Sequence, residues 1–246
     1  CTRPRSLGIE GEDLENVHNG LAFMEAVNDG KHPYVGEKVV VIGAGFTAVD
    51  CARSALRLGG KEISINIRKT ETYMRIDETE KHETQFEGIA MNSLVQPASI
   101  IGENGRVVGI EFVRTRMEKS DSPPYRTSVP IEGSEFCVPC DSVIAAIGQT
   151  PDENAVENGL SKNQDHHHGG NLFFAGDFLS GSSDVISAVA SGRKCSRVID
   201  EFLFGRMRKQ TVVQMEDHDT TDRPRKFDFI PKVDMPVIPM ENRMES

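Results

Sequence analysis

The 246-residue chain has no tryptophan, and aromatic residues make up only 6% of it. Flat platforms on which bases could stack are therefore scarce. Cations are in deficit, 28 Lys and Arg against 38 Asp and Glu, for a formal charge of −10. A nucleic-acid footprint needs the opposite sign, so no nucleic-acid partner is expected. No apolar run reaches the roughly 18 residues of a membrane helix, and no secretory signal opens the sequence, so no membrane partner is expected either. Five cysteines do not make a secreted disulfide framework in a chain of this length, and a reducing, cytoplasmic setting is expected. No internal repeat, no Ser-His-Asp set and no carboxylate pair stands out.

What is present reads as an α/β fold. Lys38–Ile42 is an unbroken apolar run, the pattern of a central parallel strand buried on both faces. Residues 46–58 follow as a helix with Ala48, Ala52, Ala55 and Leu56 on one side, closed by Gly59-Gly60. Glu62–Ile67 alternates as a second strand, and residues 70–88 form a charged, helical stretch. Strand patterns over 99–116 and 128–147, with GENG and SDSPP as turns, predict a β-meander laid on the parallel sheet. Upstream, residues 1–33 read as a connector with a helix at 20–27. Downstream, residues 171–177 (NLFFAGD) read as a buried strand ending in Gly-Asp, followed by a long amphipathic helix over 183–205. After Arg206 the chain turns polar, and its closely spaced prolines predict an extended tail over 207–246 lying on another surface.

Gly43-Ala44-Gly45-Phe46-Thr47-Ala48 spells G-x-G-x-x-A between the first strand and its helix. The first glycine permits a tight turn, the second lets backbone approach a pyrophosphate, and small Ala48 allows helix and strand to pack closely. The helix N-terminus then faces the phosphates. The end of the second strand separates the nucleotides. NAD sites usually place a carboxylate there for the ribose 2′-hydroxyl. This chain places Arg68-Lys69, with Arg75 a few residues on, and such cations suit the 2′-phosphate of NADP(H).

Taken together, VVVIGAGFTAVDCARSALRLG, INIRKTETYMR, DSVIAAIGQTPD and LFFAGD resemble the small subunit of glutamate synthase and the flavin half of dihydropyrimidine dehydrogenase, over about residues 2–205. The resemblance implies a Rossmann-like NADPH domain of the two-dinucleotide-binding flavoprotein type, inserted into an FAD domain. It implies that Arg68, Lys69 and Arg75 hold the 2′-phosphate, and that Ala146-Ile147-Gly148 is the crossing strand under the nicotinamide side. Gly176-Asp177 would close the FAD site, with the Asp carboxylate accepting from a ribityl hydroxyl. Backbone N–H groups at Asp184, Val185 and Ile186 would face the flavin pyrimidine edge, where a helix N-terminus stabilises negative charge.

On this reading residues 1–33 connect from the FAD domain, 34–147 form the NADPH domain, and 148–206 are the C-terminal part of the FAD domain. The family's first FAD glycine fingerprint and its cysteine-rich iron–sulfur segment are not in this sequence, so the expected FAD site is incomplete here. Iron–sulfur clusters are expected only outside this chain. The expected function is electron input from NADPH to FAD, with the remainder of the same polypeptide or an associated redox subunit as partner.

Two other functions compete: a nucleotide-binding regulatory module without flavin, and a thioredoxin-reductase-like disulfide enzyme using Cys137 and Cys140. On a strand that C-x-x-C pair points to opposite faces, which disfavours a bond. A second pair for zinc is missing. His166-His167-His168 reads as a solvated loop rather than a metal site. Cys51 and Cys195 read as packing residues, Asp50 as a hydrogen-bonding group at the core edge, and Glu78, Glu80 and Glu83 as a solvated helix face.

Overall fold

The computed structural model describes residues 2–119, 126–152, 166–181, 184–205, 236 and 238–243. Five strands, β2 (Val17–Asn19), β3 (Lys38–Ile42), β4 (Glu62–Ile67), β5 (Ala90–Ser93) and β10 (Ser142–Ala145), form a parallel sheet in the order β2-β10-β3-β4-β5. The register is direct, with Val40 opposite both Val143 and Ser64. Parallel sheets are covered on both faces, and this one is.

On one face lie α1 (Gly20–Asn28) and α2 (Phe46–Arg57), which bury Phe23, Ala48, Ala52 and Ala55 against Val39, Val41 and Ile65. The small residues on α2 recur every three or four positions, so the helix lies close on the strands. On the other face Val40, Ile42 and Val143 meet Ile100, Ile110 and Phe112 of an antiparallel meander. The meander comprises β6 (Val95–Glu103), β7 (Arg106–Lys119), β8 (Arg126–Pro130) and β9 (Phe136–Pro139), with β7 pairing all three others. Its GENG turn lies between β6 and β7, whereas most of SDSPP lies outside the described residues.

The fold is therefore α/β and Rossmann-like, and it departs from the sequence reading in several places. Residues 17–28, expected in a connector, give the sheet its edge strand β2 and the helix α1. The connector proper is a two-stranded ribbon, β1 (Thr2–Pro4) antiparallel to β11 (Gln149–Pro151), braced by Arg3 and Asp152 at 2.9 Å. The charged stretch after β4 is not one helix: a 3-10 turn at Glu71–Tyr73 precedes α3 (Glu78–Phe86), which Asp77 caps through the Glu80 N–H.

The expected buried strand at 171–177 shrinks to β13 (Leu172–Phe173), half exposed and paired only with β12 (His167–Gly169). The histidine run is thus part of a hairpin rather than a solvated loop. His166 Nδ1 bonds to the Phe174 carbonyl, and the His167 ring stacks on Phe173 at 4.6 Å. A short helix α4 (Asp177–Ser180) follows, then α5 (Val185–Phe204), capped by Asp184 and closed by left-handed Gly205. Most of the tail lies outside the described residues. Its described part is not all extended, because Met240–Arg243 turns as α6.

Candidate functional site

The glycine turn sits where β3 ends, at the C-terminal edge of the sheet. A Cβ at Gly43 would collide with the Ala146 carbonyl and stand 2.9 Å from the Ala48 Cβ. That glycine exists so that the segment leaving β10 can cross the turn. Ala146 is held there by its N–H on the Ile42 carbonyl at 2.8 Å, and on its other side a Gly20 Cβ would come within 3.1 Å of the Ala146 Cβ. Gly45 differs. Among the described residues no atom lies within 4 Å of where its Cβ would be. It is also the N-cap of α2 and offers no side-chain cap, whereas Asn19, Asp77 and Asp184 cap α1, α3 and α5. The first turn of α2 thus lacks a side-chain cap beside a residue with no side chain, while the Ala48 and Val49 amides bond to the Gly45 carbonyl.

Of the three cations, Arg75 is tied directly to this turn, from the segment that follows the 3-10 turn. The Arg75 N–H donates to the Ala44 carbonyl at 2.8 Å, and Gly45 and Arg75 form an isolated parallel bridge. Arg68 and Lys69 are fixed through their backbones. Thr115 Oγ1 donates to the Arg68 carbonyl at 2.7 Å, and the Leu94 N–H donates to the Lys69 carbonyl at 3.2 Å. Arg68 and Arg75 are exposed, and among the described residues neither has an ion-pair partner. The Lys69 ammonium lies 5.0 Å over the Tyr73 ring.

Ala146, Ile147 and Gly148 are the link between β10 and β11 rather than a strand. Asn19, Leu21, Thr47, Ala146, Gly148 and Gln149 line a small cleft beside the glycine turn. A wider cleft, with Glu15, Tyr34, Arg106 and Asp141, lies at the opposite ends of β3 and β10. Ligands of open α/β sheets bind beyond the carboxyl ends of the strands, which favours the small cleft. Asn19 was not singled out from the sequence, although an Asn immediately before a helical pattern is a cap signal.

The second group of residues begins past Gly148. Helix α4 packs against β11. Gly176 adopts a φ of 63°, a conformation that favours glycine, and its N–H donates to Ser191 Oγ at 2.9 Å. Asp177 Oδ1 is buried, with no hydrogen-bond partner among the described residues. A buried carboxylate oxygen without a donor is costly, and such an atom calls for explanation. The Asp184 side chain is occupied as a cap, accepting from the Ser187 N–H at 2.7 Å and Ser187 Oγ at 3.0 Å. Those hydrogen bonds hold its carboxyl below the usual range. Val185 and Ile186, at the start of α5, are 78% and 82% exposed.

The remaining candidates resolve simply. Cys137 is exposed and Cys140 buried, both are free thiols, and burial first, with Asp141 second, pushes the Cys140 thiol up to about 12. Cys51 and Cys195 are buried packing residues. Glu80 and Glu83 are not a purely solvated face: both are partly exposed and ion-paired, with Arg53 and Arg243 respectively. Among the described residues no cluster of three His, Cys, Asp or Glu side chains could hold a metal ion.

A parallel sheet with a glycine turn at its carboxyl edge, a crossing segment over that turn and a meander behind it define a dinucleotide-binding fold of the two-dinucleotide flavoprotein type. Residues 2–192 match the family described as pyridine nucleotide-disulphide oxidoreductase, and the chain belongs to that family. The chain is 32% identical over 210 residues to the NADP(+)-dependent formate dehydrogenase subunit beta of Moorella thermoacetica, covering 80% of this chain and 30% of that protein. It is 33% identical over 223 residues to the glutamate synthase [NADPH] small chain of Escherichia coli, covering 80% and 47%. The chain thus spans less than half the length of either relative. FprA of Mycobacterium tuberculosis, solved in complex with NADPH, shares the fold at a TM-score of 0.66 and 16% identity, over 85% of this chain and 64% of that one.

Proposed function

We propose that the chain is the NADPH side of an electron-input module, in which a hydride passes from NADPH to FAD. The observation that carries this reading is Gly45, whose missing side chain faces open space at an uncapped helix N-terminus. In this reading the backbone of Gly43, Ala44, Gly45, Phe46 and Thr47 receives the pyrophosphate. Arg68, Lys69 and Arg75 meet the 2′-phosphate, and the Ala146-Ile147-Gly148 segment backs the nicotinamide side. Residues 34–147, together with 17–28, act as the nucleotide-binding unit.

The residues of 148–206 fit the second cofactor. The unpartnered Asp177 Oδ1 matches a carboxylate that accepts from a ribityl hydroxyl, with Gly176 shaping the turn. The N–H groups of Val185 and Ile186, at an exposed helix start, suit the pyrimidine edge of a flavin. FAD, when bound, supplies the ring that takes the hydride. This chain's residues hold and orient the two nucleotides, and no acid or base is required of them, because position organises hydride transfer.

Electrons would continue to iron–sulfur centres or another redox partner, on the same polypeptide or an associated subunit. The names of the two relatives, a beta subunit and a small chain, support an assembly of that kind. Among the described residues no helix is long and apolar enough to cross a membrane, and a cytoplasmic setting is proposed. The disulfide-enzyme alternative loses ground because Cys140 is a buried, protonated thiol beside an exposed Cys137.

The assignment of NADPH is tested with Arg68→Glu. Losing a charge-assisted contact costs about 1.5–3 kcal/mol, so NADPH affinity should fall on the order of ten- to a hundredfold. NADH affinity should be nearly unchanged. Equal losses for both nucleotides would remove Arg68 from the 2′-phosphate site.

A further inference from the structure

Helix α3 and its cap carry Glu80, Glu83 and Glu87, and α2 answers them with Arg53 and Arg57. Arg53 Nε and Nη2 donate to the two Glu87 oxygens at 3.0 and 2.7 Å, and its Nη1 donates to Glu80 at 3.2 Å. Arg57 reaches Glu87 at 3.4 Å through both terminal nitrogens. The Glu87 side chain is only 1% exposed. Two guanidinium groups from α2 thus face three carboxylates, and among the described contacts neither hydrogen-bonds to Glu83, although Glu83 acts electrostatically on Arg53.

The third cation arrives from the far end of the chain. Arg243 of α6 pairs with Glu83, donates to Glu87 at 3.4 Å, and lies 5.9 Å over the Phe86 ring. Its Nε donates to the Ile238 carbonyl at 2.7 Å, which turns the fork of the guanidinium toward the acids. Arg243 is buried, at 8% exposure, on a segment with little other apolar anchorage among the described residues. With it three described cations face Glu80, Glu83 and Glu87, while Asp50 also acts on Arg53. Without it, Glu83 loses its ion pair with Arg243 beside a nearly dry Glu87, which low dielectric makes unfavourable.

We infer that Arg243 latches the C-terminal segment onto the nucleotide-binding half, and that the latch positions the Arg75 turn through α3. The mechanical link is short. Asp77 caps α3 through the Glu80 N–H, Glu80 is itself held by Arg53, and two residues before Asp77 the Arg75 N–H is bonded to Ala44. The arginine socket runs along α3 from Glu80 to Glu87, and the Arg75–Asp77 segment that leads into its N-terminus meets the glycine turn. Arg243 touches no bound nucleotide in this scheme and is a positioning residue. Its consequence for NADPH rests on the function proposed above.

Amide hydrogen exchange on the intact chain without nucleotide tests the latch, using Arg243→Gln and, from the other side of the pair, Glu83→Gln. Both variants should speed exchange of the α3 amides and of the Arg75 amide by about tenfold, the scale of one charge-assisted hydrogen bond. Amides of β3 and β4 should be unchanged. Wild-type rates at α3 in both variants would overturn the latch, and faster α3 with an unchanged Arg75 amide would overturn its reach to the turn. Titration with both nucleotides then separates the two claims. Arg243→Gln should weaken NADPH more than NADH. If wild type itself binds neither, the proposed function fails while the exchange result still decides the latch.

Discussion

Ile65 and Ile186 are the same residue in opposite circumstances. Ile65, on β4, is fully buried between layers of the sheet, whereas Ile186, at the start of α5, is 82% exposed. The contrast extends to the polar groups. In the nucleotide-binding half, buried Asn66 donates to the Val41 carbonyl and accepts from Asn92, and Ser142 donates to the Val35 carbonyl. In the other region Asp177 keeps a buried oxygen without a partner. The buried polar groups of the first region are hydrogen-bonded, whereas the second leaves a buried carboxylate oxygen unpaired among the described residues and exposes apolar side chains at the start of α5. Under the proposed function the first half binds its ligand on a finished scaffold, and the second meets its ligand with groups that folding has not used.

Truncating side chains should reproduce that contrast. Ile65→Ala removes packing from the core between the sheet and its helices and should cost about 2–5 kcal/mol in denaturant unfolding. A loss under about 1 kcal/mol would mean the sheet core is looser than its burial implies. Glu87→Gln should cost somewhat less, about 2–3 kcal/mol, because it removes the negative charge and one of the two acceptor oxygens facing Arg53, Arg57 and Arg243, and the first two keep some solvent contact.

Glu87 also sets a pH signature. Burial pushes its carboxyl up, but hydrogen bonds and charges from Arg53 and Arg57 outweigh burial and leave it below the ordinary value. A carboxyl with a depressed folded pKa stabilises above its unfolded value, and that stability is lost as pH falls through the folded one. The loss belongs below about pH 4. Glu87→Gln should flatten the acid limb of stability against pH. An unaltered limb would remove Glu87 from the acid transition.

The region around Asp177 should respond with the reverse sign. Asp177→Ala removes a buried, unpartnered oxygen and should leave the ligand-free chain as stable or up to about 1 kcal/mol more stable. In protein loaded with FAD the same change should loosen the flavin. A destabilised ligand-free chain would show that Asp177 serves the fold. The smallest effect belongs to Ile186→Ala, which should stay within about 0.5 kcal/mol of wild type by thermal unfolding. A larger loss would mean that α5 is packed as tightly as β4.

The sequence was most legible where local pattern and burial agree. The apolar run of β3, the Ala spacing of α2 and the Gly43–Ala48 turn place the candidate pyrophosphate site without any distant contact. Val17–Asn19 carries too few residues to show a period, so β2 emerges only from its pairing with β10. The hairpin at His167 was hidden because its partner strand is two residues long. Glu80 and Glu83 looked solvated because their partners come from α2 and from Arg243, 160 residues beyond Glu83. The difference between Gly43 and Gly45 was only half visible. The fingerprint names both glycines, but the crossing of Ala146 behind one and open space before the other are facts of three dimensions.

That pair of glycines gives the most direct test. Calorimetric titration of NADPH and of NADH into wild type, Gly43→Ala and Gly45→Val asks whether the turn is the site. Wild type should bind one NADPH at least about tenfold more tightly than NADH, as a charge-assisted contact to the extra phosphate requires. Gly45→Val should abolish binding of both while the fold persists, because its side chain fills the ligand's space and no protein atom's. Gly43→Ala should instead lower stability by about 1–3 kcal/mol, since its Cβ meets the crossing segment. NADPH binding that survives unchanged in a folded Gly45→Val protein would contradict the account.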